Sequence, residues 1–220
     1  MQATPGWTSL WPALACAVAV ALLLRAERRG SRRGVWIWKP LAAASFLAAA
    51  WAWGAPASGY GRLILLGLAL SACGDLLLIS RGAGWLALGI FAFLAGHVAY
   101  AAAFLSRPQS PFVLGAAALG VALLVWRVDR WLAPHLEPSF VLPVRCYFVA
   151  IGAMGALALG AVGAGAPLVA GAGALGFMAS DLSVARERFV APGFRNAAWG
   201  LPLYFASQLL LAWSSAGVAP

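Results

Sequence analysis

The stretch "SACGDLLLIS" at residues 71–80 places a carboxylate, Asp75, in a run of apolar and small residues. A second stretch, "GFMASDLSVARER" at residues 176–188, does the same with Asp181. The 220-residue chain is 63% hydrophobic and only 10% charged, whereas a soluble domain carries about a quarter charged residues. The sequence therefore predicts an all-α, polytopic membrane protein with two carboxylates at membrane depth.

Eight segments are candidates for membrane helices, since a helix needs about 20 apolar residues to cross the bilayer core. The fifth and seventh segments are short, which predicts a re-entrant path or a strong tilt for them. We expect a single integral membrane domain over residues 1–220. Its predicted spans are 7–24, 35–54, 62–79, 85–105, 111–126, 140–161, 166–183 and 196–215.

The basic residues are distributed unevenly between the predicted loops. If the segment "RAERRGSRRG" at residues 25–34 is cytoplasmic, Lys39 and nearly all arginines fall on the same side, and only Arg62 and Arg107 fall on the other. Loops rich in arginine and lysine favour the cytoplasmic side. The pattern predicts a multi-pass protein of the bacterial inner membrane with both termini outside. It also explains the net charge of +9 without nucleic-acid binding.

The two aspartates suggest an internal repeat. They lie four predicted spans apart, so their helices run in the same direction, and each is followed by leucine and then, five or six residues later, by an arginine. Two parallel four-helix halves would give this pattern, as in some transporters. A purely structural explanation, in which each carboxylate pairs with a nearby arginine, stays open. Small neighbours that permit close helix packing favour a buried site instead: Gly67, Ser71, Gly74, Gly173, Gly176 and Ser180.

Further polar side chains recur at helical spacing. In the fourth predicted span, His97 and Tyr100 share a face with Phe93 and Phe104, and His97 is either a hydrogen-bonding histidine or a functional one. In the last span a polar face is formed by Asn196, Gly200, Tyr204 and Gln208, with Pro202 expected to kink the helix. In the sixth span, Arg145 and Tyr147 either line the interior or, for the tyrosine, lie at the membrane interface.

The sequence contains no H-E-x-x-H, P-loop or G-x-S-x-G motif and no histidine cluster. Its three cysteines are widely spaced and form no C-x-x-C pair. We therefore expect no metal site, no other cofactor and no disulfide framework.

Five stretches together carry a resemblance to a known family. They are "GDLLL" at 74–78, "FLAGHVAYAAAF" at 93–104, "PVRCY" at 143–147, "GALGFMASDLSVARERF" at 173–189 and "WGLPLYFASQLLL" at 199–211. In this order and combination they resemble the YhhN/TMEM86 family, the lysoplasmalogenases. Arg145, beside Tyr147, departs from the pattern expected for the family.

The resemblance implies an enzyme that hydrolyses the vinyl ether bond of lysoplasmalogens to a fatty aldehyde and glycerophosphoethanolamine or glycerophosphocholine. It also implies that Asp75 and Asp181 are the catalytic residues. Vinyl ether cleavage proceeds through protonation of carbon and an oxocarbenium ion, so it needs an acid, a carboxylate and a water, as in two-carboxylate glycosidases. An apolar enclosure favours one protonated and one charged carboxyl group.

The depth of the two aspartates also fits a lysophospholipid substrate. Counting residues places them just below the cytoplasmic headgroup layer, where the ether linkage of a lysolipid lies. The substrate phosphate would be bound by arginines, the candidates being Arg81, Arg186 and Arg188. Orienting or substrate-binding roles are expected for His97, Tyr100, Tyr147, Ser180, Asn196, Tyr204 and Gln208.

Three other functions are compatible with parts of the pattern. The main alternative is a proton- or cation-coupled transporter, which would use the same paired aspartates and parallel halves. An intramembrane aspartyl protease is disfavoured, because Ala72 stands where that class has glycine and "ASD" replaces its Y-D element. A structural or receptor-like helix bundle would leave the polar faces unexplained.

Overall fold

The computed structural model describes residues 10–80 and 82–216. Within these residues it has eight long α-helices, short helical turns and no β-strand, which confirms the all-α prediction. Each helix overlaps one predicted span, and residues 7–9 of the first span lie outside the described residues. The helices are α1 (Trp11–Arg28), α2 (Arg32–Ala52), α3 (Gly59–Ile79), α4 (Ala83–Leu105), α5 (Pro111–Leu132), α6 (Pro138–Gly163), α7 (Leu168–Ala185) and α8 (Phe194–Trp213).

Serines and prolines set several of the helix starts. Ser31 caps α2 and Ser58 caps α3, since each side chain accepts a hydrogen bond from the backbone N–H three residues later. Pro111 and Pro138 occupy the first positions of α5 and α6, where a missing N–H costs no intrahelical hydrogen bond.

The fifth and seventh predicted segments belong to helices that are longer than their apolar runs. Helix α5 has 22 residues and continues through Arg127, Asp129 and Arg130 to Leu132. Helix α7 has 18 residues and runs on into a π-helical turn, Arg186–Val190. The apolar runs end earlier than the helices because charged residues at the membrane surface extend a helix without belonging to its apolar span.

Six of the helices in the described part of the chain, α2 to α7, are long and apolar enough to cross a membrane. Helix α1 ends in Arg25, Glu27 and Arg28, and α8 carries the predicted polar face, which explains why these two are less apolar. The chain is therefore an integral, polytopic membrane protein.

The helix packing repeats after four helices. Helix α1 packs on α2 and α3 on α4, and the same pairs recur as α5 on α6 and α7 on α8. The two halves interlock, because α4 packs on α6 and α8 packs on α2. Short connections make consecutive helices antiparallel, so α3 and α7 run in the same direction. This pattern agrees with two parallel four-helix halves.

Glycines bring the paired helices close together beside the two aspartates. A Cβ atom on Gly74 would lie 2.6 Å from the ring of Phe93, so α3 and α4 approach closely just before Asp75. A Cβ atom on Gly200 would overlap the side chain of Ser183, so α8 also lies close to α7 just after Asp181. Small residues permit this backbone approach.

Candidate active site

Asp181 lies on α7 and contacts side chains from two other helices. The hydroxyl of Tyr147 on α6 donates a hydrogen bond of 2.6 Å to Asp181 Oδ2. The same oxygen lies 3.5 Å from Nε2 of His97 on α4. The His97 side chain is fully buried, and that of Asp181 is 16% exposed. Both contacts use Oδ2, and the carboxyl group keeps some access to its surroundings.

The tautomer of His97 follows from its second contact. Nδ1 lies 2.7 Å from the backbone oxygen of Phe93, and a carbonyl oxygen only accepts, so Nδ1 carries the proton. In neutral His97, Nε2 then presents a lone pair toward Asp181, and among the described residues it has no aligned hydrogen-bond partner. A proton between Nε2 and Asp181 would satisfy both groups. The geometry therefore suits a pair that shares one proton.

Two apolar cavities flank Asp181. The first, of about 570 Å³ including space open to the exterior, lies mainly between α4, α6 and α7. The second, of about 670 Å³ on the same basis, lies between α5, α6 and α7. Both are lined by Tyr147, Phe148, Asp181 and Ala185. A polar group is thus presented between two spaces that are otherwise almost entirely apolar.

Asp75 lies on α3 in a different environment. Its Oδ2 accepts a hydrogen bond of 2.7 Å from the hydroxyl of Tyr204 on α8, and its Oδ1 lies 3.2 Å from Lys39 Nζ on α2. Only 3% of the Asp75 side chain and 12% of the Lys39 side chain are exposed. In the described part of the chain, Asp75 lines neither of the two cavities.

Lys39 is a site residue that the sequence analysis only counted among the basic residues of the cytoplasmic side. The structure places it in the second turn of α2, with its ammonium group turned inward to Asp75. One signal was present: Lys39 is the only lysine of the chain, and it stands in the otherwise apolar segment "VWIWKPLAAASF" at 35–46. A charge at membrane depth pairs with an opposite charge when one is available.

An aromatic cluster connects the surroundings of the two aspartates. The Phe177 ring stacks on His97 at 4.4 Å and packs against Tyr204 at 5.4 Å. Phe93 packs against both Phe177 and Tyr204. Rings in contact with one another therefore link Tyr204, which bonds to Asp75, with His97, which lies beside Asp181.

The predicted polar faces of α4 and α8 are confirmed as buried. Tyr100 donates a hydrogen bond of 2.6 Å to Gln208 Oε1, so this pair joins α4 to α8. Ser180 bonds to the carbonyl of Phe177 in its own helix. Three of the predicted site residues therefore contact an aspartate: His97, Tyr147 and Tyr204. The side-chain hydrogen bonds of Tyr100, Gln208 and Ser180 go to other partners.

Asn196 and Arg186 form a separate network at the end of α7. Arg186 donates to Asn196 Oδ1 at 2.6 Å, and Asn196 Nδ2 donates to Glu187 at 2.7 Å. These bonds join the π-helical turn to the start of α8. Arg188, by contrast, lines the first cavity and donates to the Leu78 carbonyl. Arg81, the third predicted phosphate-binding residue, lies outside the described residues.

Arg145 does not line the interior as one sequence interpretation proposed. It is mostly exposed and lies 3.2 Å from Asp129 on α5. Residues two positions apart point to different sides of a helix, so Tyr147 faces inward while Arg145 faces outward. The unexpected charge therefore leaves the inner face of α6 unchanged. Within residues 10–80 and 82–216, no group of three or more His, Cys, Asp or Glu side chains is arranged to hold a metal ion.

A family model and several known proteins are similar to this chain over most of its length. The model of the YhhN family matches residues 34–215. Lysoplasmalogenase TMEM86A of Bos taurus is 35% identical over 159 residues, which cover 69% of this chain and 64% of that protein. Human lysoplasmalogenase TMEM86A is 34% identical over 158 residues, which cover 69% of this chain and 64% of that protein. Human lysoplasmalogenase TMEM86B is 34% identical over 162 residues, which cover 73% of this chain and 66% of that protein. The matched segment thus spans just under two thirds of these relatives. No solved structure matches the chain.

Proposed function

The chain belongs to the YhhN family, and on that premise we propose that it is a membrane hydrolase that cleaves the vinyl ether bond of lysoplasmalogens. The products would be a fatty aldehyde and glycerophosphoethanolamine or glycerophosphocholine. The observation that carries the proposal is the placement of the Asp181 carboxyl group between two apolar cavities that open to the exterior. The names of the relatives support the same reaction.

In the proposed reaction, Asp181 in its acid form donates a proton to the β-carbon of the vinyl ether. The π electrons form the new C–H bond, and the ether oxygen stabilises the resulting oxocarbenium ion. Water then adds to the cationic carbon and loses a proton, giving a hemiacetal. Collapse of the hemiacetal breaks the carbon–oxygen bond to glycerol, whose oxygen takes up a proton. The sum is addition of one water and no change in oxidation state.

Tyr147 and His97 support this role of Asp181 by their contacts with Oδ2. The Tyr147 hydroxyl stabilises the carboxylate left after proton donation, because hydrogen bonds to a charged acceptor are strong. His97 presents an unprotonated Nε2 to the same carboxyl group and can hold the proton that water releases. Return of that proton to Asp181 would complete the cycle. Such general acid–base steps contribute about 10²–10⁴-fold to rates.

The two cavities suggest how the substrate lies. We place the alkenyl chain in the cavity between α5 and α7, where the lining side chains outside the shared residues are apolar. The phosphate lies toward Arg188 at the end of the other cavity. The vinyl ether bond, which joins chain to headgroup, then passes Asp181.

The test is release of aldehyde by detergent-purified protein from an alkenyl lysophospholipid. We expect aldehyde from this substrate and no turnover of its alkyl analogue, since a saturated ether offers no π electrons to protonate. The acyl analogue tests for ordinary lysophospholipase activity. The assay is run with and without EDTA, and we expect equal rates. Absence of aldehyde from folded protein in matching lipid would overturn the proposal, as would cation-coupled flux without product.

A further inference from the structure

The two halves of the protein hold their aspartates with different partners. On α3, Asp75 is contacted by a lysine of α2 and a tyrosine of α8. On α7, Asp181 is contacted by a tyrosine of α6 and a histidine of α4. In the repeat, α2 corresponds to α6 and α4 to α8. Lys39 and Tyr147 thus come from corresponding helices, but only one of them carries a charge.

Lys39 offsets part of the cost of burying the Asp75 carboxylate. A buried carboxylate is strongly disfavoured unless an opposite charge or several hydrogen bonds compensate for lost water. Lys39 Nζ lies 3.2 Å from Oδ1 and the Tyr204 hydroxyl 2.7 Å from Oδ2, so both oxygens have a donor. Other titratable groups of the described residues that lie within electrostatic range of Asp75 are not basic: Cys16, Tyr100, Asp181 and Tyr204.

We propose that Lys39 is a positioning residue that keeps Asp75 as a fixed carboxylate, so that Asp181 alone exchanges a proton with the substrate. This inference rests on the proposed function. The fixed charge has two uses. It opposes a second negative charge on Asp181, which favours the acid form before the reaction. It also attracts the oxocarbenium ion that forms beside Asp181. Asp75 does this without lining the cavities, across the Tyr204–Phe177–His97 contacts that link it to the surroundings of Asp181.

The first test measures turnover in three variants. Lys39→Met keeps the length of the side chain but removes its charge, and we expect kcat to fall about 10-fold or more, because an opposite charge at this distance strongly affects ionisation. KM should change little, since Lys39 lines neither cavity. Lys39→Arg keeps the cation and should recover most of the loss. Lys39→Met combined with Asp75→Asn should be no slower than Asp75→Asn alone.

Arg145→Met is the matched control. Arg145 also lies 3.2 Å from an aspartate, but that pair is exposed on the outer side of α6. Exposed pairs contribute little, so we expect wild-type turnover and thermal stability from this variant.

The second test measures thermal unfolding and does not depend on activity. Lys39→Met leaves a buried carboxylate without its cation and should lower the midpoint, whereas the double variant with Asp75→Asn should recover it. If the wild type releases no aldehyde but the double variant regains the unfolding midpoint, the Lys39–Asp75 ion pair is confirmed. Both the proposed function and the positioning role are then wrong. If the wild type is active, folded Lys39→Met with unchanged kcat would overturn the inference alone. Additive losses in the double variant would do the same.

Discussion

Asp75 and Asp181 each accept a hydrogen bond from a tyrosine hydroxyl, yet the remainder of their surroundings differs in charge. Asp75 faces an ammonium group, and Asp181 faces the unprotonated nitrogen of a buried histidine. One environment favours a permanent carboxylate and the other favours a carboxyl group that shares a proton. This difference suits a reaction that needs one acid and one negative charge.

Asparagine at either position tests this division of roles. Asp181→Asn and Asp75→Asn preserve size but remove the ionisable group. Loss of the proton donor Asp181 should lower turnover by about 10²–10⁴-fold. Loss of the fixed charge at Asp75 should also lower turnover strongly. The double variant should be little slower than the slower single one, because the two residues act as a unit. Aldehyde release is measured on protein whose folding is checked by size exclusion. Near wild-type turnover in a folded single variant would remove that residue from the mechanism.

Tyr147→Phe tests the hydrogen bond at 2.6 Å to Asp181. A bond to a charged group contributes about 1.5–3 kcal/mol, so we expect turnover to fall roughly 10- to 100-fold. The matched control is Tyr60→Phe, which removes a buried hydroxyl bonded to Ser214 at 2.7 Å, away from both cavities. It should leave turnover unchanged. Equal losses in both variants would show that the Tyr147 effect is general destabilisation.

The sequence was informative about which residues face inward and less so about their partners. Both aspartates, His97 and Tyr204 could be predicted as interior because a polar group in an apolar helix avoids lipid. The inward position of Lys39 could not be predicted in this way. Lys39 closely follows an arginine-rich loop and was therefore counted with the cytoplasmic basic residues. The pairing of Asn196 with Arg186 was also missed, because it depends on the π-helical turn between α7 and α8.

At the scale of helices, the cavity between α5 and α7 should select for chain length. Ala179 on α7 lines this cavity, so Ala179→Leu fills part of it. We expect a larger loss of kcat/KM for long alkenyl chains than for short ones, since overpacking costs about 1–3 kcal/mol. Ala172→Leu, on an exposed position of the same helix, is the control and should leave the preference unchanged. An unchanged preference in Ala179→Leu would place the chain elsewhere.

The close approach of α7 and α8 depends on Gly200. A Cβ atom there would overlap the side chain of Ser183, so Gly200→Ala should lower stability by about 1–3 kcal/mol. The matched variant is Gly115→Ala on α5, where an added Cβ meets no atom of the described residues within 4 Å. There the better helix propensity of alanine should be neutral or stabilising by up to about 1 kcal/mol. Thermal unfolding in detergent compares them, and equal midpoints would contradict the packing argument.

Helical periodicity explains why these elements were predictable. Residues spaced by three or four positions share a face, so the buried faces of α4 and α8 followed from the sequence alone. The length of α5 did not, because Arg127, Asp129 and Arg130 end the apolar run before the helix ends. Hydropathy records the membrane core, whereas helix ends are set by capping and by loop geometry.

At the scale of the whole molecule, the helix pairs repeat regularly, but the first helices of the two halves, α1 and α5, pack differently. Helix α1 packs on α8 as well as on α2, whereas α5 packs chiefly on α6. The outer helix of the half that holds Asp75 therefore contacts both halves, whereas a cavity lies beside α5 in the half that holds Asp181. The two similar sequence stretches suggested equivalent aspartates. They do not show that α1 and α5 pack differently around the two halves.

The orientation of the protein in the membrane is testable with reporters. Eight spans and a cytoplasmic arginine-rich loop place both termini outside, since positive loops favour the cytoplasm. We expect alkaline phosphatase to be active when fused after Gly165 or at the C-terminus. A fusion after His135, between α5 and α6, should instead support a cytoplasmic fluorescent reporter.

The fusion at the C-terminus decides the position of α8, whose polar face excludes it from the clearly apolar helices. That face is satisfied inside the bundle by Asp75 and Tyr100, so α8 can span the membrane despite its low hydrophobicity. If the C-terminal reporter proved cytoplasmic while the Gly165 fusion stayed external, α8 would not cross. Tyr204 would then reach Asp75 from a re-entrant helix, and the second half would no longer repeat the first.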